Sequence, residues 1–155
     1  MIVFNVKFLV VLLMIIETSR AATKTKCQVV QALRAQGVTS DSELRNWLCL
    51  VEKESSFRYD VTNSNSNGSK DYGIFQLNDG FWCGKSNGYS GTICWRLRTN
   101  GCQDSCSSFL NSDISNDANC AVRIKNCDGF SRWEGWKNKC KGKNLNKPKY
   151  DPSGC

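Results

Sequence analysis

The chain has 155 residues with ten cysteines and no histidine, and its formal net charge at pH 7 is +7. The lack of histidine excludes Ser-His-Asp and Cys-His nucleophiles, which leaves carboxylates as the expected acid and base groups. It also argues against zinc, as does the absence of any Cys-x-x-Cys pair. The positive charge favours a polyanionic partner, whether a bacterial envelope, a nucleic acid or an acidic membrane, or it serves only to keep the protein soluble.

Residues 1–21 are predicted to be a secretory signal peptide. Their first 16 residues form a largely apolar run with one charge, Lys7, and this run is shorter than the roughly 20 residues that span a membrane. We expect cleavage after Ala21 or Ala22, secretion, and one mature domain over residues 22–155, whose net charge is lower by one at +6. All ten cysteines lie in that domain, so disulfide bonds are expected.

The mature chain begins with two predicted helices. The first covers residues 27–35, and Gly37 is the residue expected to stop it. Ser40 followed by Glu43 predicts a capping box at the start of a second helix of about four turns. Apolar residues recur in this helix at i, i+3, i+4 and i+7, namely Leu44, Trp47, Leu48 and Val51.

A small antiparallel sheet is predicted next. The Asn67-Gly68 pair predicts a type I′ hairpin turn, and the bulky side chains within residues 72–78 predict a strand, in a sheet of two or three strands. Residues 80–102 are rich in Gly, Asn and Ser and hold three cysteines, so we expect a long loop that disulfides hold in place.

Helical patterning returns after this loop. A third helix is expected to begin near Asp113 or Ser115, and a last short helix is expected over residues 132–139. The third helix is expected to bury Ile114, Ala118, Ala121, Val122 and Ile124. The basic tail after Cys140 is expected to be irregular. The order of helices, sheet and helices indicates the α+β class.

Two carboxylates stand out by position: Glu54 at the end of the second helix and Asp71 at the head of a strand. A glycosidase needs one carboxyl that stays protonated and one that stays ionised. Glu54 lies at one edge of the apolar stripe, where partial desolvation raises the pKa of a carboxyl. The side chains expected to keep Asp71 charged are those of Asn63, Asn65, Ser69 and Asn78.

Glu52 lies near the other edge of the same apolar stripe, so periodicity alone leaves the choice between Glu52 and Glu54 open. Both candidate carboxylates, Glu54 and Asp71, are also compatible with a solvated surface.

Longer motifs narrow these alternatives. They are NWLCLVEKES (46–55), TNSNSNGSKDYGIFQLND (62–79), FWC (81–83), CQDSCSSFL (102–110), NCAVRI (119–124) and RWEGWKNKC (132–140). Through them the chain resembles the c-type lysozyme and α-lactalbumin family over essentially the whole mature length. The resemblance implies a helical lobe and a small antiparallel sheet lobe with a cleft between them.

The resemblance also implies an activity. It is that of a secreted, retaining glycosidase that cleaves the β-1,4 linkage between N-acetylmuramic acid and N-acetylglucosamine in bacterial peptidoglycan. The implied partner is bacterial cell-wall polysaccharide. We expect no cofactor, no nucleic acid, no stable membrane association and a monomer.

The resemblance assigns roles to individual residues. Glu54 falls at the position of the family's general acid, Asp71 at that of its nucleophile or stabilising carboxylate, and Trp133 at that of the tryptophan packed against the acid. The implied substrate-binding residues are Asn65, Gln76, Asn78, Phe81, Trp82 and Trp133. For an aromatic residue in these motifs, packing in the core is the alternative to binding a sugar. This alternative is favoured more strongly for Phe75 and Trp47 than for Trp82.

The cysteine order implies a disulfide pattern as well. Eight cysteines match the family order, which implies the pairs Cys27–Cys155, Cys49–Cys140, Cys83–Cys106 and Cys102–Cys120. Cys94 and Cys127 are additional, and we expect them to pair with each other.

Several residues depart from the family pattern. Arg132 and Glu134 flank Trp133 at positions that are commonly small or apolar in the family, and Glu134 is expected to disturb the pKa of the acid, point to solvent or pair with Arg132. Asn111 and Asn116 stand where calcium-binding members carry acids, so we expect no structural calcium. Two other functions stay open: a saccharide-binding protein that has lost hydrolysis, and a cationic antimicrobial protein that disrupts membranes.

Overall fold

The computed structural model describes residues 22–84, Cys94 and residues 101–155. The predicted signal peptide and most of the predicted long loop, residues 85–93 and 95–100, lie outside the described residues. No helix in the described part of the chain is long and apolar enough to cross a membrane.

The described residues form four α-helices, each near a predicted position. They are α1 (Lys26–Ala35), α2 (Asp41–Ser55), α3 (Ser115–Asp128) and α4 (Glu134–Lys139). Short 3-10 helices cover Cys106–Leu110, Gly129–Arg132 and Pro148–Tyr150. The last α-helix thus begins two residues later than predicted, and the predicted irregular tail contains one of the 3-10 helices.

The N-terminus of α2 forms only half of the predicted capping box. The Ser40 hydroxyl accepts a hydrogen bond from the Glu43 backbone N–H at 3.4 Å. The Glu43 carboxylate does not reach back, because it pairs with Lys125 on α3 at 2.7 Å and accepts a hydrogen bond from Trp47 Nε1 at 3.3 Å. A complete capping box begins α1 instead. Glu43 therefore links two helices, which a pattern within α2 does not reveal.

The sheet has three antiparallel strands in the order β1 (Thr62–Ser64), β2 (Lys70–Tyr72) and β3 (Leu77–Asn78). Asp71 lies on the central strand, opposite Asn63 of β1 and Asn78 of β3. The register thus places an amide side chain on each side of the predicted carboxylate.

The hairpin turn between β1 and β2 differs from the prediction. Of the pair Asn67-Gly68, only Gly68 has a positive φ, at 84°, so the predicted type I′ turn is wrong. The Gly68 N–H donates to the Asn65 carbonyl oxygen at 3.0 Å, and the Asn65 N–H donates to Ser69 O at 2.8 Å. Longer hairpin loops of this kind end in one left-handed residue, for which glycine is favoured.

The predicted strand over residues 72–78 is also interrupted. Gly73 and Gln76 have positive φ values of 73° and 51°, and the Gln76 N–H donates to Gly73 O across a tight turn at 3.1 Å. A Cβ atom on Gly73 would lie 2.1 Å from Phe109 O, so only glycine fits. The bulky side chains of Ile74 and Phe75, which suggested a strand, lie in this turn and pack into the core, where both are fully buried.

An aromatic cluster centred on Trp47 forms part of the hydrophobic core. The Trp47 ring centroid lies 4.7 Å from that of Phe130 and 5.6 Å from those of Phe75 and Trp133, in edge-to-face contacts. Such contacts add roughly 0.5–1.5 kcal/mol per pair to the burial of the rings. Trp47 and Phe75 are thus core residues, as the sequence favoured.

Five disulfides tie the described residues together. Their pairs are Cys27–Cys155, Cys49–Cys140, Cys83–Cys106, Cys94–Cys127 and Cys102–Cys120. These are the pairs that the resemblance and the two remaining cysteines imply. Cys94–Cys127, with Cα atoms 5.3 Å apart, joins Cys94 to the end of α3.

Candidate active site

A cleft of about 680 Å³ lies between the end of α2, the sheet and the segment that precedes α4. All eight predicted catalytic and substrate-binding residues line it: Glu54, Asn65, Asp71, Gln76, Asn78, Phe81, Trp82 and Trp133. Residues up to 79 positions apart along the chain therefore meet at one surface.

Glu54, in the last turn of α2, is half-buried in this cleft. Its Oε1 atom accepts a hydrogen bond from the Gly135 backbone N–H at 2.9 Å. Burial raises the pKa of Glu54, and the hydrogen bond from Gly135 opposes this effect. The negative charges of Asp71 and Glu134 raise the pKa further. The carboxyl is therefore biased toward the protonated form, as a proton donor requires.

Glu52 occupies a different environment from Glu54 and does not line the cleft. Its carboxylate accepts hydrogen bonds from Lys149 Nζ at 2.6 Å and from the Tyr150 hydroxyl. Burial alone would raise the pKa of Glu52, but the hydrogen bonds from Lys149, Tyr150 and Lys53 outweigh it and hold the pKa at about 2. An acid held in this way keeps no proton to donate near neutral pH.

Asp71 is surrounded by hydrogen-bond donors. Asn65 Nδ2 donates to Oδ2 at 2.9 Å and Asn78 Nδ2 donates to Oδ1 at 2.7 Å. The same two amides also donate to the Ser69 hydroxyl, at 3.2 and 2.9 Å. Two of the expected side chains thus bind the carboxylate directly, and a third orients them.

Asn63, which lies opposite Asp71 on β1, and Gln76 also line the cleft. Asn63, which we expected to contact the carboxylate, donates to Gln76 Oε1 at 2.8 Å instead. Gln76 is 7% exposed, and its Nε2 atom donates to Gly73 O at 2.8 Å. Both ends of the Gln76 amide are thus engaged inside the protein.

The aromatic residues of the cleft differ in exposure. The Phe81 side chain is 45% exposed, whereas Trp82 beside it, with ring centroids 6.0 Å apart, is 8% exposed. Trp133 is buried, and its indole N–H donates to Phe75 O at 2.8 Å. Phe81 therefore presents most of the free aromatic surface in the described part of the cleft.

Two hydrogen bonds join the lobes beside the carboxylates. The Ser55 hydroxyl, next to Glu54 in the chain, lies 2.8 Å from Ile74 O, and the Trp133 indole binds the adjacent Phe75 O. Both acceptors belong to the turn that follows the strand of Asp71. The helical lobe thus holds the turn directly behind the second carboxylate.

The family model for the C-type lysozyme/alpha-lactalbumin family matches residues 22–151. The chain belongs to this family. It is 43% identical to Lysozyme c-1 of Anopheles gambiae, with 82% of this chain and 83% of that protein covered. It is 44% identical to Lysozyme of Bombyx mori, with 80% and 83% covered, and 42% identical to Lysozyme C, milk isozyme, of Canis lupus familiaris, with 79% and 92% covered.

The two charged departures from the family pattern, Arg132 and Glu134, both line the cleft. They do not pair with each other. Arg132 pairs with Asp128 at 2.6 Å, four residues earlier, and Glu134 pairs with Lys137, three residues later. Both spacings are those of neighbouring turns of a helix, so the sequence contained the signal for these pairs.

Gly135 is a site residue that sequence reasoning missed. A Cβ atom at this position would lie 2.6 Å from Glu54 Oε1, so the missing side chain lets the backbone N–H approach the carboxyl. A glycine in the first turn of a helix, within a motif that carries a cleft tryptophan, was the available signal.

Asp117 lies in the first turn of α3, next to Asn116. Its side chain is fully buried, and neither carboxylate oxygen has a hydrogen-bond partner among the described residues. Burial raises the pKa of Asp117 to about 8, and the charges of Asp104 and Asp113 add to the effect. In the described ranges no group of three or more His, Cys, Asp or Glu side chains is arranged to hold a metal ion. The expected lack of structural calcium stays a prediction.

Proposed function

We propose that this chain is a secreted lysozyme that hydrolyses the β-1,4 linkage between N-acetylmuramic acid and N-acetylglucosamine in bacterial peptidoglycan. The observation that carries the proposal is one cleft with two carboxylates in opposite environments. Glu54 is half-buried with a raised pKa, whereas Asp71 accepts hydrogen bonds from two amides. Lysozymes use such a pair of carboxylates, and relatives named lysozyme match most of the chain.

In the proposed mechanism Glu54 acts first as a general acid. It donates its proton to the glycosidic oxygen as the bond to the anomeric carbon breaks. Asp71, on the opposite side of the bond, stabilises the oxocarbenium-like centre or attacks it as a nucleophile. Glu54, now ionised, takes a proton from the incoming water. The water oxygen bonds to the anomeric carbon as Asp71 is released from it, which completes hydrolysis with retention of configuration. The Gly135 N–H bonded to Glu54 Oε1 stabilises the ionised form between these steps.

The remaining cleft residues are proposed to bind the sugar chain. The exposed ring of Phe81 offers apolar surface to the CH face of a pyranose, with Trp82 behind it. Asn65 and Asn78 border the bond to be cut. Gln76 and Trp133 direct their polar atoms inward, so their contribution to binding is to shape the wall.

The direct test is the loss of turbidity of a bacterial cell-wall suspension across a range of pH. Glu54→Gln should lower the rate by roughly 100-fold or more, because general acid catalysis is lost. Asp71→Asn should lower it by about tenfold or more, because charge stabilisation is lost. Glu52→Gln is the matched control, since it makes the same chemical change two residues away and outside the cleft.

The outcomes separate the alternatives. Loss of activity in Glu52→Gln but not in Glu54→Gln would refute the assignment of the acid. A wild-type protein that binds cell-wall oligosaccharides without releasing reducing ends would be a saccharide-binding protein on this fold. Bacterial killing that persists in Glu54→Gln would show that the positive charge of the protein, and not hydrolysis, kills the cells.

A further inference from the structure

The positive charge of the mature domain is concentrated in one short stretch. Six lysines and no acid lie within residues 137–149, whereas the rest of residues 22–155 holds thirteen basic and thirteen acidic residues. The whole excess of positive charge therefore comes from this stretch, which we call the lysine segment.

The lysine segment lies outside the cleft, because none of its residues lines it. It borders a second concavity of about 460 Å³ beside the first half of α2. Helix α2 contributes Ser42, Arg45 and Asn46 to this concavity, and the segment contributes Lys143 and Asn144. No acidic side chain of the described residues lines it.

Contacts with α2 hold the lysine segment in place. The Cys49–Cys140 disulfide fixes its first half, and Arg45 Nη1 donates to Leu145 O at 3.5 Å. At its end Lys149 pairs with Glu52 at 2.6 Å. A surface that is ordered before binding loses less conformational entropy when a ligand arrives.

Most of the lysines are free to bind an external anion. Lys137 and Lys149 are paired with carboxylates. The other four are exposed and form no ion pair with any described residue: Lys139, Lys141, Lys143 and Lys147. A lysine ammonium is a compact charge that suits phosphate oxygens. Several of them along an ordered segment suit a polymer whose phosphates repeat.

The segment does not have the composition of a membrane-inserting surface. Such a surface needs large apolar side chains beside its cations. Among the described residues the large hydrophobic side chain that is substantially exposed is Phe81, and it lies in the cleft.

We propose that the lysine segment is a second binding site, separate from the cleft, for a phosphodiester polymer attached to the bacterial wall. Binding there holds the protein against its substrate while the cleft works along a neighbouring glycan strand. The inference rests on the proposed function only in taking the bacterial wall as the target. Binding of the polymer is measured without hydrolysis. A failure of the binding proposal is therefore distinguishable from a failure of the proposed glycosidase activity.

The test uses purified, fluorescently labelled poly(glycerol phosphate) and the full mature protein, with binding followed by anisotropy at several salt concentrations. The test variant is Lys141→Gln/Lys143→Gln. The matched control is Arg34→Gln/Arg58→Gln, which removes the same charge from surfaces outside both concavities. We expect the test variant to bind roughly tenfold more weakly than the wild type at low salt, with a shallower salt dependence. The control should change by less than about twofold, and all three proteins should cleave a soluble oligosaccharide at the same rate.

Three outcomes would overturn the proposal. Equal weakening in both double variants would show that net charge, not this segment, governs binding. A wild-type protein that does not bind the polymer would show that a phosphodiester polymer is not the ligand of the lysine segment. Tighter binding to vesicles of phosphatidylglycerol in phosphatidylcholine, lost in the lysine variant, would assign the segment to membranes.

Discussion

The buried carboxyl of Asp117 predicts an unusual dependence of stability on pH. Its pKa is raised from 3.8 to about 8 in the folded protein. The folded state therefore holds the proton more tightly than the unfolded state, and stability must fall as pH rises from about 4 to about 8. The gap between the two values corresponds to a ceiling of roughly 6 kcal/mol, since each pKa unit is worth about 1.4 kcal/mol. Relaxation around the charged form brings the expected effect to several kcal/mol.

Replacement of Asp117 with Asn removes the titrating group and changes little in shape. We expect Asp117→Asn to match the wild type in free energy of unfolding near pH 4 and to exceed it increasingly toward pH 8. The measurement is guanidinium unfolding followed by tryptophan fluorescence at pH 4, 6 and 8, with disulfides intact. Other groups titrate in both proteins, so the difference between the two curves isolates Asp117.

Asp151→Asn is the matched control for this experiment. Hydrogen bonds from Ser153 lower the pKa of Asp151, and its charge is not among those that act on Asp117, so its loss acts in the opposite direction. If the free energy of unfolding of the wild type runs parallel to that of Asp117→Asn between pH 4 and 8, the reasoning is refuted.

Three further predictions follow from single contacts. Glu134→Gln removes a negative charge near Glu54 and should lower the pKa of that acid; the alkaline limb of the pH–activity profile should then move to lower pH, and an unmoved limb would contradict the assignment. Gly73→Ala places a Cβ against a backbone carbonyl at positive φ and should lower the melting temperature by several degrees or prevent folding, whereas an unchanged melting temperature would contradict the packing. Cys94→Ser/Cys127→Ser should lower the free energy of unfolding by about 2–4 kcal/mol, and equal stability in denaturant would show that the bond only tethers the loop.

The sequence was most informative where a local pattern and its burial agree. The apolar stripe of α2 predicted its buried face, and Leu44, Trp47, Leu48 and Val51 are all fully buried. The α+β fold class is confirmed as well, by the architecture and by the family match. Helical periodicity reports directly which face packs inward, so such elements need no tertiary information.

The sequence was least informative where distant residues decide local structure. Glu43 fails to complete a capping box because Lys125 captures its carboxylate. The chain turns at Gly73 because it passes close to Phe109 O, and this contact spans 36 residues. Spacing left Glu52 and Glu54 equivalent. Their environments differ because the C-terminal tail folds back onto Glu52, whereas Glu54 lies in the cleft against the Gly135 N–H. None of these contacts leaves a periodic signal.

The two candidate carboxylates belong to different lobes, yet the hydrogen bonds from Ser55 and the Trp133 indole to the turn behind Asp71 tie those lobes together at the reaction centre. Ser55 follows Glu54 directly in the chain, and both acceptors lie within four residues of Asp71. The separation of the two carboxylates therefore depends on contacts that neither carboxylate makes. A substitution at Ser55 or Trp133 is expected to change that separation while it leaves both acids in place.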